Sequence, residues 1–149
     1  MIRHAELKDL EQIVHMLKAF ASASIIDYSD WSKADIDSAT VKIVNMIKRE
    51  YLLVAEHNDT LVGMIGAVKE QDYWFNRRTR LRELFWWVDP LYRRSRLSAE
   101  LYLRWENDVE RYLRDKLVDQ VSLSTQPGSS NIDPAHRGWI CVEQHWIKG

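Results

Sequence analysis

The chain has 149 residues, 46% of them hydrophobic, and its 21 Lys and Arg nearly balance 22 Asp and Glu for a net charge of -1. That is the size and composition of one globular domain spanning 1–149 with a core of its own, and the absence of a basic excess argues against nucleic acid as the main partner. Cys141 is the single cysteine, which excludes an intramolecular disulfide framework and a cysteine-based zinc site and suits a reducing, cytoplasmic compartment.

Arg3, His4 and Glu6 interrupt the start, and the apolar runs fall far short of the ~20 residues that a spanning helix requires, so neither a signal peptide nor a membrane association is expected. Met1 to Ala5 reads as a short strand. Leu10, Ile13, Val14, Leu17 and Ala21 then recur at helical spacing, which makes one face apolar. Ser32 with Asp35 marks a second helix start, and Ile36, Thr40, Ile43 and Ile47 carry that helix towards Tyr51.

Tyr51 to Ala55 and Thr60 to Val68 flank Asn58-Asp59 as a hairpin with a tight polar turn. Gly63 and Gly66 permit a bulge or close packing in its second strand. Asp72 to Arg80 is a polar loop studded with aromatics, in which Trp74 and Phe75 with Arg77 and Arg78 suit a clamp on a peptide or base, or a loop closing over a substrate. Leu81 to Val88 is the central strand, buried on both faces near its end.

From Ser98 the residues Leu101, Trp105, Val109, Tyr112 and Leu113 step along one helical face as far as Leu117. Val121 to Thr125 is a strand, Gln126 to Arg137 is loop or one helical turn, and Trp139 to Ile147 is a last extended element. His4, His15, His57 and His145 have no ligand spacing, so no metal site is expected.

Charge concentrates around the central strand, where Arg77, Arg78, Arg80, Arg82, Arg93, Arg94 and Arg96 face only Glu83 and Asp89. Anionic ligands should prefer that region. Its informative stretch is Glu83-Leu-Phe-Trp-Trp-Val-Asp-Pro-Leu-Tyr-Arg-Arg-Ser-Arg-Leu-Ser98: an apolar run stops at Pro90, an arginine-rich turn follows, and an amphipathic helix begins. Arg93, Arg94 and Arg96 set positive charge beside the free N–H groups of a helix start, a ready site for phosphate. The other reading of such arginines is a solvated, salt-bridged turn.

Val88-Asp-Pro90-Leu-Tyr92-Arg93 resembles the lead-in to the phosphate loop of the GNAT family of acyl-CoA N-acyltransferases, which usually reads Arg/Gln-x-x-Gly-x-Gly/Ala. Arg96 and Ser98 stand at its two usual glycines and Arg94 where a further glycine is common, a variant most similar to GNAT-like proteins carried by bacteriophages and prophages. Gly138-Trp139 through Glu143 to Lys148 resembles the family's terminal strand, and the order of elements agrees along essentially the whole chain.

The resemblance implies an α/β fold with a central mixed, mostly antiparallel sheet, splayed between strands 4 and 5, and helices on both faces. It implies acetyl-CoA as acyl donor. Trp86, Trp87 and Val88 would offer their backbone edge to the pantetheine arm, and Arg93, Arg94, Ser95, Arg96, Leu97 and Ser98 would wrap the pyrophosphate. Without glycine that loop must turn with right-handed dihedrals. Asn131 would contact the pantetheine arm, although a turn role explains it equally well. The first two helices would border the acceptor pocket.

Transfer to an amine requires a neutral nucleophile, and an amine with a pKa of about 10.4 is charged at neutral pH. Glu83 is the candidate base, because the neighbours Phe85, Trp86 and Trp87 would desolvate it and raise its pKa. Its other role would be an ion-pair partner for Arg80 or Arg82. Pro134 stands where many family members carry a tyrosine that protonates the departing thiolate. A thiol of pKa about 8.5 leaves with little help, so His136, Ser129 or solvent would suffice, His136 being otherwise an exposed loop residue.

The leading reading is an acetyl-CoA-dependent N-acetyltransferase using direct transfer to a primary amine. The acceptor is either a small-molecule amine or a host protein or peptide, in the host cytoplasm if the gene is phage-borne, and a homodimer is left open. Two readings compete: a GNAT-fold phage protein without turnover, acting as a binding or virion-associated component, and a nucleic-acid binder using the arginine cluster and Trp74.

Overall fold

The computed structural model describes residues 1–23, 30–125, 133–143, 146 and 148. Within them the chain runs β1 (Ile2–His4), a 3-10 turn, α1 (Leu10–Ser22), α2 (Lys33–Arg49), β2 (Tyr51–His57), β3 (Thr60–Gln71) and β4 (Thr79–Val88). A second 3-10 turn (Pro90–Tyr92) leads to α3 (Arg96–Arg114), β5 (Gln120–Ser122) and a last 3-10 turn (Pro134–Arg137).

Local chemistry accounts for the boundaries. The Ser32 hydroxyl accepts the Asp35 N–H at 3.2 Å while the Asp35 carboxylate accepts the Ser32 N–H at 2.9 Å, the reciprocal cap that the spacing predicts for α2. Asn58 and Asp59 take φ of 50° and 61°, the two left-handed residues of a tight hairpin turn between β2 and β3.

The five strands lie in the order β1-β2-β3-β4-β5, antiparallel as far as β4 and parallel between β4 and β5. Each face buries its own cluster: Trp105, Leu101 and Tyr102 of α3 pack on Tyr51, Leu53, Ile65 and Leu81, while Ile13, Met16, Ile43 and Met46 of α1 and α2 pack on Leu52, Val54, Met64 and Phe85. Asp108 is buried on α3 and satisfied by the Tyr51 hydroxyl at 2.9 Å and by Arg104 and Arg111 at 3.1 Å each. Among the described residues no helix is long and apolar enough to cross a membrane.

The β3–β4 ladder steps from Gly66↔Phe85 to Ala67↔Glu83, so Leu84 is an extra residue on β4. This bulge moves Phe85 to the α1 and α2 side although Leu81, four residues earlier, packs against α3. Gly66 makes room for it: a Cβ there would meet the Phe85 ring at 2.3 Å. Gly66→Ala is therefore expected to cost about 1–3 kcal/mol as the buried ring is forced aside, read as a lower urea midpoint. At Gly63 the nearest atom would be Leu101 Cδ2 at 3.2 Å, so Gly63→Ala should cost less.

Two expectations are corrected. β5 ends at Ser122 because the Ser124 N–H turns to a side chain, Glu83, at 3.1 Å. The final extended element forms no strand among its described residues, Trp139 to Glu143, Trp146 and Lys148. Its ties run to a helix instead of a ladder: Arg137 Nε donates to Glu106 of α3 at 2.6 Å and Trp139 Nε1 to the same carboxylate at 3.5 Å, while Ile140 and Val142 lie exposed.

Candidate active site

Pairing between β4 and β5 covers only Arg80↔Gln120, Leu81↔Val121 and Arg82↔Ser122. Beyond Arg82, β4 runs on to Val88 against β3, and its other edge has no strand beside it among the described residues. The sheet opens there, leaving backbone donors and acceptors for a ligand's amides.

Glu83 sits at the opening, 6% exposed. Burial pushes its carboxyl up to about 7, opposed in part by the Ser124 N–H and by the charge of Arg82. The ion-pair alternative is not what the side chains form. Arg82 Nε reaches Glu70 at 2.9 Å and Arg80 Nε lies 3.5 Å from the same residue. A carboxyl that titrates near neutrality, held by one backbone donor, can take up a proton and release it at the pH of a cell.

Trp86 and Trp87 leave β4 on opposite faces. The Trp86 ring stacks on Tyr102 of α3 at 5.3 Å, and its indole N–H is buried without a hydrogen-bond partner among the described residues. Trp87 carries the Arg93 guanidinium over its ring at 4.8 Å. Arg93 Nε donates to the Val88 carbonyl at 3.0 Å, which holds the arginine against the end of the strand with no ion-pair partner among the described residues.

The turn into α3 needs no glycine. The only non-glycine residues with positive φ among those described are Asn58, Asp59 and Lys116, so Arg93 to Ser98 are unstrained by their side chains. Ser95 is the N-cap, donating its hydroxyl to the Tyr92 carbonyl at 2.7 Å and accepting the Ser98 N–H at 3.3 Å. Arg96 and Leu97 open the helix, where N–H groups have no intrahelical acceptor. Among the described residues Arg94 is exposed without an ion pair, whereas Arg96 is paired with Glu100 at 2.7 Å and remains 91% exposed.

The structure thus brings the β4 edge, Glu83 and the arginine-flanked helix start together along one strand. His136, in the last 3-10 turn, is 84% exposed and pairs with Asp133 at 2.8 Å. Asn131 and Ser129 lie outside the described residues. A feature with little sequence signal is Glu106, which accepts from Tyr102 at 2.6 Å besides Arg137 and Trp139. Burial pushes it up, but these hydrogen bonds outweigh burial and hold it below the usual carboxylate range. Tyr102 and Glu106 are readable as helical neighbours; Arg137, 31 residues on, is not.

The sheet, parted beside a buried carboxyl with an anion-ready helix start at the far end of the same strand, has the fold of the GNAT acyltransferases. The chain belongs to the acetyltransferase (GNAT) family, whose profile matches residues 10–132. It is similar in structure to a possible acetyltransferase from Clostridium difficile 630, with TM-score 0.68 and 19% identity over 100% of this chain and 96% of that one. A predicted acetyltransferase from Clostridium acetobutylicum, solved with acetyl-CoA, gives 0.65 and 16% over 99% and 94%. AAC(6′)-Iy, in complex with the bisubstrate analogue CoA-S-monomethyl-acetylneamine, gives 0.67 and 15% over 100% and 96%. At such identities the likeness is one of fold. No curated protein sequence matches this one.

Proposed function

We propose that this protein is an acetyl-CoA-dependent N-acetyltransferase that passes the acetyl group directly to a primary amine. The observation that carries the reading is Glu83, buried where β4 and β5 part. When bound, acetyl-CoA supplies an activated thioester carbonyl. The free N–H groups of Arg96 and Leu97, with the charges of Arg93 and Arg94, suit its pyrophosphate. The open edge of β4 at Trp86, Trp87 and Val88 suits the amides of the pantetheine arm.

Glu83 then accepts the proton that the acceptor ammonium must lose before its nitrogen can attack. The thiol leaves without a dedicated acid, so the proline at position 134 is no obstacle, and solvent or the exposed His136 returns the proton. The arginine-serine loop resembles those of phage-borne relatives, and a host cytoplasm fits that reading. AAC(6′)-Iy, bound to an analogue that joins CoA to an acetylneamine, illustrates the same fold meeting a small-molecule amine.

The reading of a binding protein without turnover draws on Ser95 and Glu100, which occupy the Ser98 N–H and the Arg96 guanidinium. A thermal-shift titration separates the two. Acetyl-CoA at a hundredfold excess over its dissociation constant should stabilise the fold by about 2.7 kcal/mol, with ATP doing far less. No shift at millimolar acetyl-CoA would remove the enzyme reading.

A further inference from the structure

We infer that the loop joining β3 to β4 is a docking surface for an acidic peptide segment of a protein acceptor; this rests on the acetyltransferase reading above. Its tip presents Tyr73, Trp74 and Phe75 in succession, 84%, 81% and 57% exposed, and none of the three belongs to either buried cluster. Contiguous exposed aromatics mark interaction sites, and Trp, Tyr and Arg are the residues that dominate interface energetics.

The loop is built to hold this display. The Asp72 carboxylate accepts the N–H groups of Trp74 and Phe75 at 2.9 and 3.0 Å. Backbone bonds close the base, from Asp72 N to the Arg78 carbonyl at 2.9 Å and from Arg78 N to the Phe75 carbonyl at 2.8 Å. Tyr73 meets Trp74 edge-on at 4.8 Å, and the Arg78 guanidinium lies over Phe75 at 5.2 Å. Ordering these rings before a partner arrives lowers the entropy lost on binding.

Charge selects the partner. Arg77 and Arg78 have no carboxylate partner among the described residues, because the nearby acids are committed: Glu70 to Arg80 and Arg82, Asp72 to the loop backbone, and Asp119 to the Thr79 N–H at 2.7 Å. The tip therefore combines apolar rings with two arginines that have no ion-pair partner among the described residues, which suits an acidic segment containing apolar side chains and disfavours a polycationic amine. A small ligand is expected in a concavity that covers most of its surface, whereas these rings stand out in solvent.

Position fits an acceptor. Thr79 opens β4 directly after the loop, and Glu83 follows four residues later, about 13 Å at 3.3 Å per residue. The helix start with its arginines lies beyond Val88, about 17 Å the other way along the strand. A peptide held on the loop thus approaches Glu83 from the end opposite the phosphate site.

The test uses the full chain and fluorescein-labelled peptides bearing one lysine among leucines and either glutamates or arginines, read by anisotropy beside a labelled oligo-dT. The glutamate peptide should bind about tenfold or more tightly than the arginine peptide, weaken as salt rises, and lose about tenfold on Trp74→Ala. Arg77→Glu with Arg78→Glu should reverse the preference. No peptide binding, equal binding of the two peptides, indifference to these exposed substitutions, or tighter binding of the oligonucleotide overturns the inference. Acetyl-CoA titrated into the same proteins reads the parent proposal separately. Peptide preference without CoA binding sinks the enzyme reading and with it the acceptor role, leaving only a peptide-binding loop, and CoA binding without peptide preference sinks only the docking surface.

Discussion

Glu83→Gln leaves acetyl-CoA affinity intact and lowers turnover about 10²-fold at neutral pH, because the amide keeps the shape of the side chain and its bond from Ser124 but cannot take a proton. In the parent, kcat/KM should rise as pH climbs through about 7, where the carboxyl ionises. The deficit of the variant should narrow at alkaline pH, since an acceptor amine deprotonated by solvent no longer needs the carboxylate. A deficit of equal size at every pH would assign Glu83 to acceptor binding. Unimpaired turnover would send the search for the base to bound water or Glu143.

The same carboxyl leaves a signature in stability. Burial raises its pKa from 4.5 to about 7 in the folded state, so the folded protein holds the proton more tightly than the unfolded chain does. That contribution is fully present below pH 4.5 and is lost as pH rises through about 7. At 1.36 kcal/mol per pKa unit its size is on the order of 3 kcal/mol. Urea denaturation of parent and Glu83→Gln at pH 4.5 and pH 8 should therefore show the variant gaining on the parent towards alkaline pH. A constant difference would mean that the site is wetter than the structure has it.

Trp105→Ala is expected to cost about 3–5 kcal/mol, a large share of the stability of a domain this size. The indole is wholly buried on α3 and meets the Tyr51 ring at 5.1 Å, so its removal opens a cavity beneath the helix that carries the phosphate-site N-terminus. Trp105→Phe should cost much less. The Trp105 N–H is buried without a partner among the described residues, and deleting an unsatisfied donor recovers part of the lost packing. Similar urea midpoints for the parent and the alanine variant would contradict this account of how α3 is anchored.

Local patterns carried the elements that need only neighbours in sequence. Apolar spacing predicts α1 and α2, Ser32 with Asp35 the cap, Asn58-Asp59 the hairpin, and the run from Glu83 to Ser98 a strand, a turn and a helix; each is present. Boundaries moved where a side chain intervened: α3 starts at Arg96, two residues earlier than expected, because Ser95 caps it. β3 extends to Gln71 and β4 begins at Thr79, since the closed Asp72–Arg78 loop brings the two strands together sooner.

What the residues by themselves determined is an α/β fold, a strand running into an arginine-flanked helix start, and a carboxylate set among aromatics. Those follow from periodicity, capping and composition, which act over a few residues. Only the tertiary structure decided what Glu83 touches. The backbone donor on Ser124 lies 41 residues away, Glu70 draws off the two arginines that sequence proximity would have assigned to it, and the Leu84 bulge sets which face each neighbour occupies. The tertiary structure likewise tied Arg137 and Trp139 to Glu106 on α3 instead of to a strand. Such pairings depend on distances between segments far apart in the chain, and no local propensity encodes which of several chemically equivalent partners the fold brings within bonding reach.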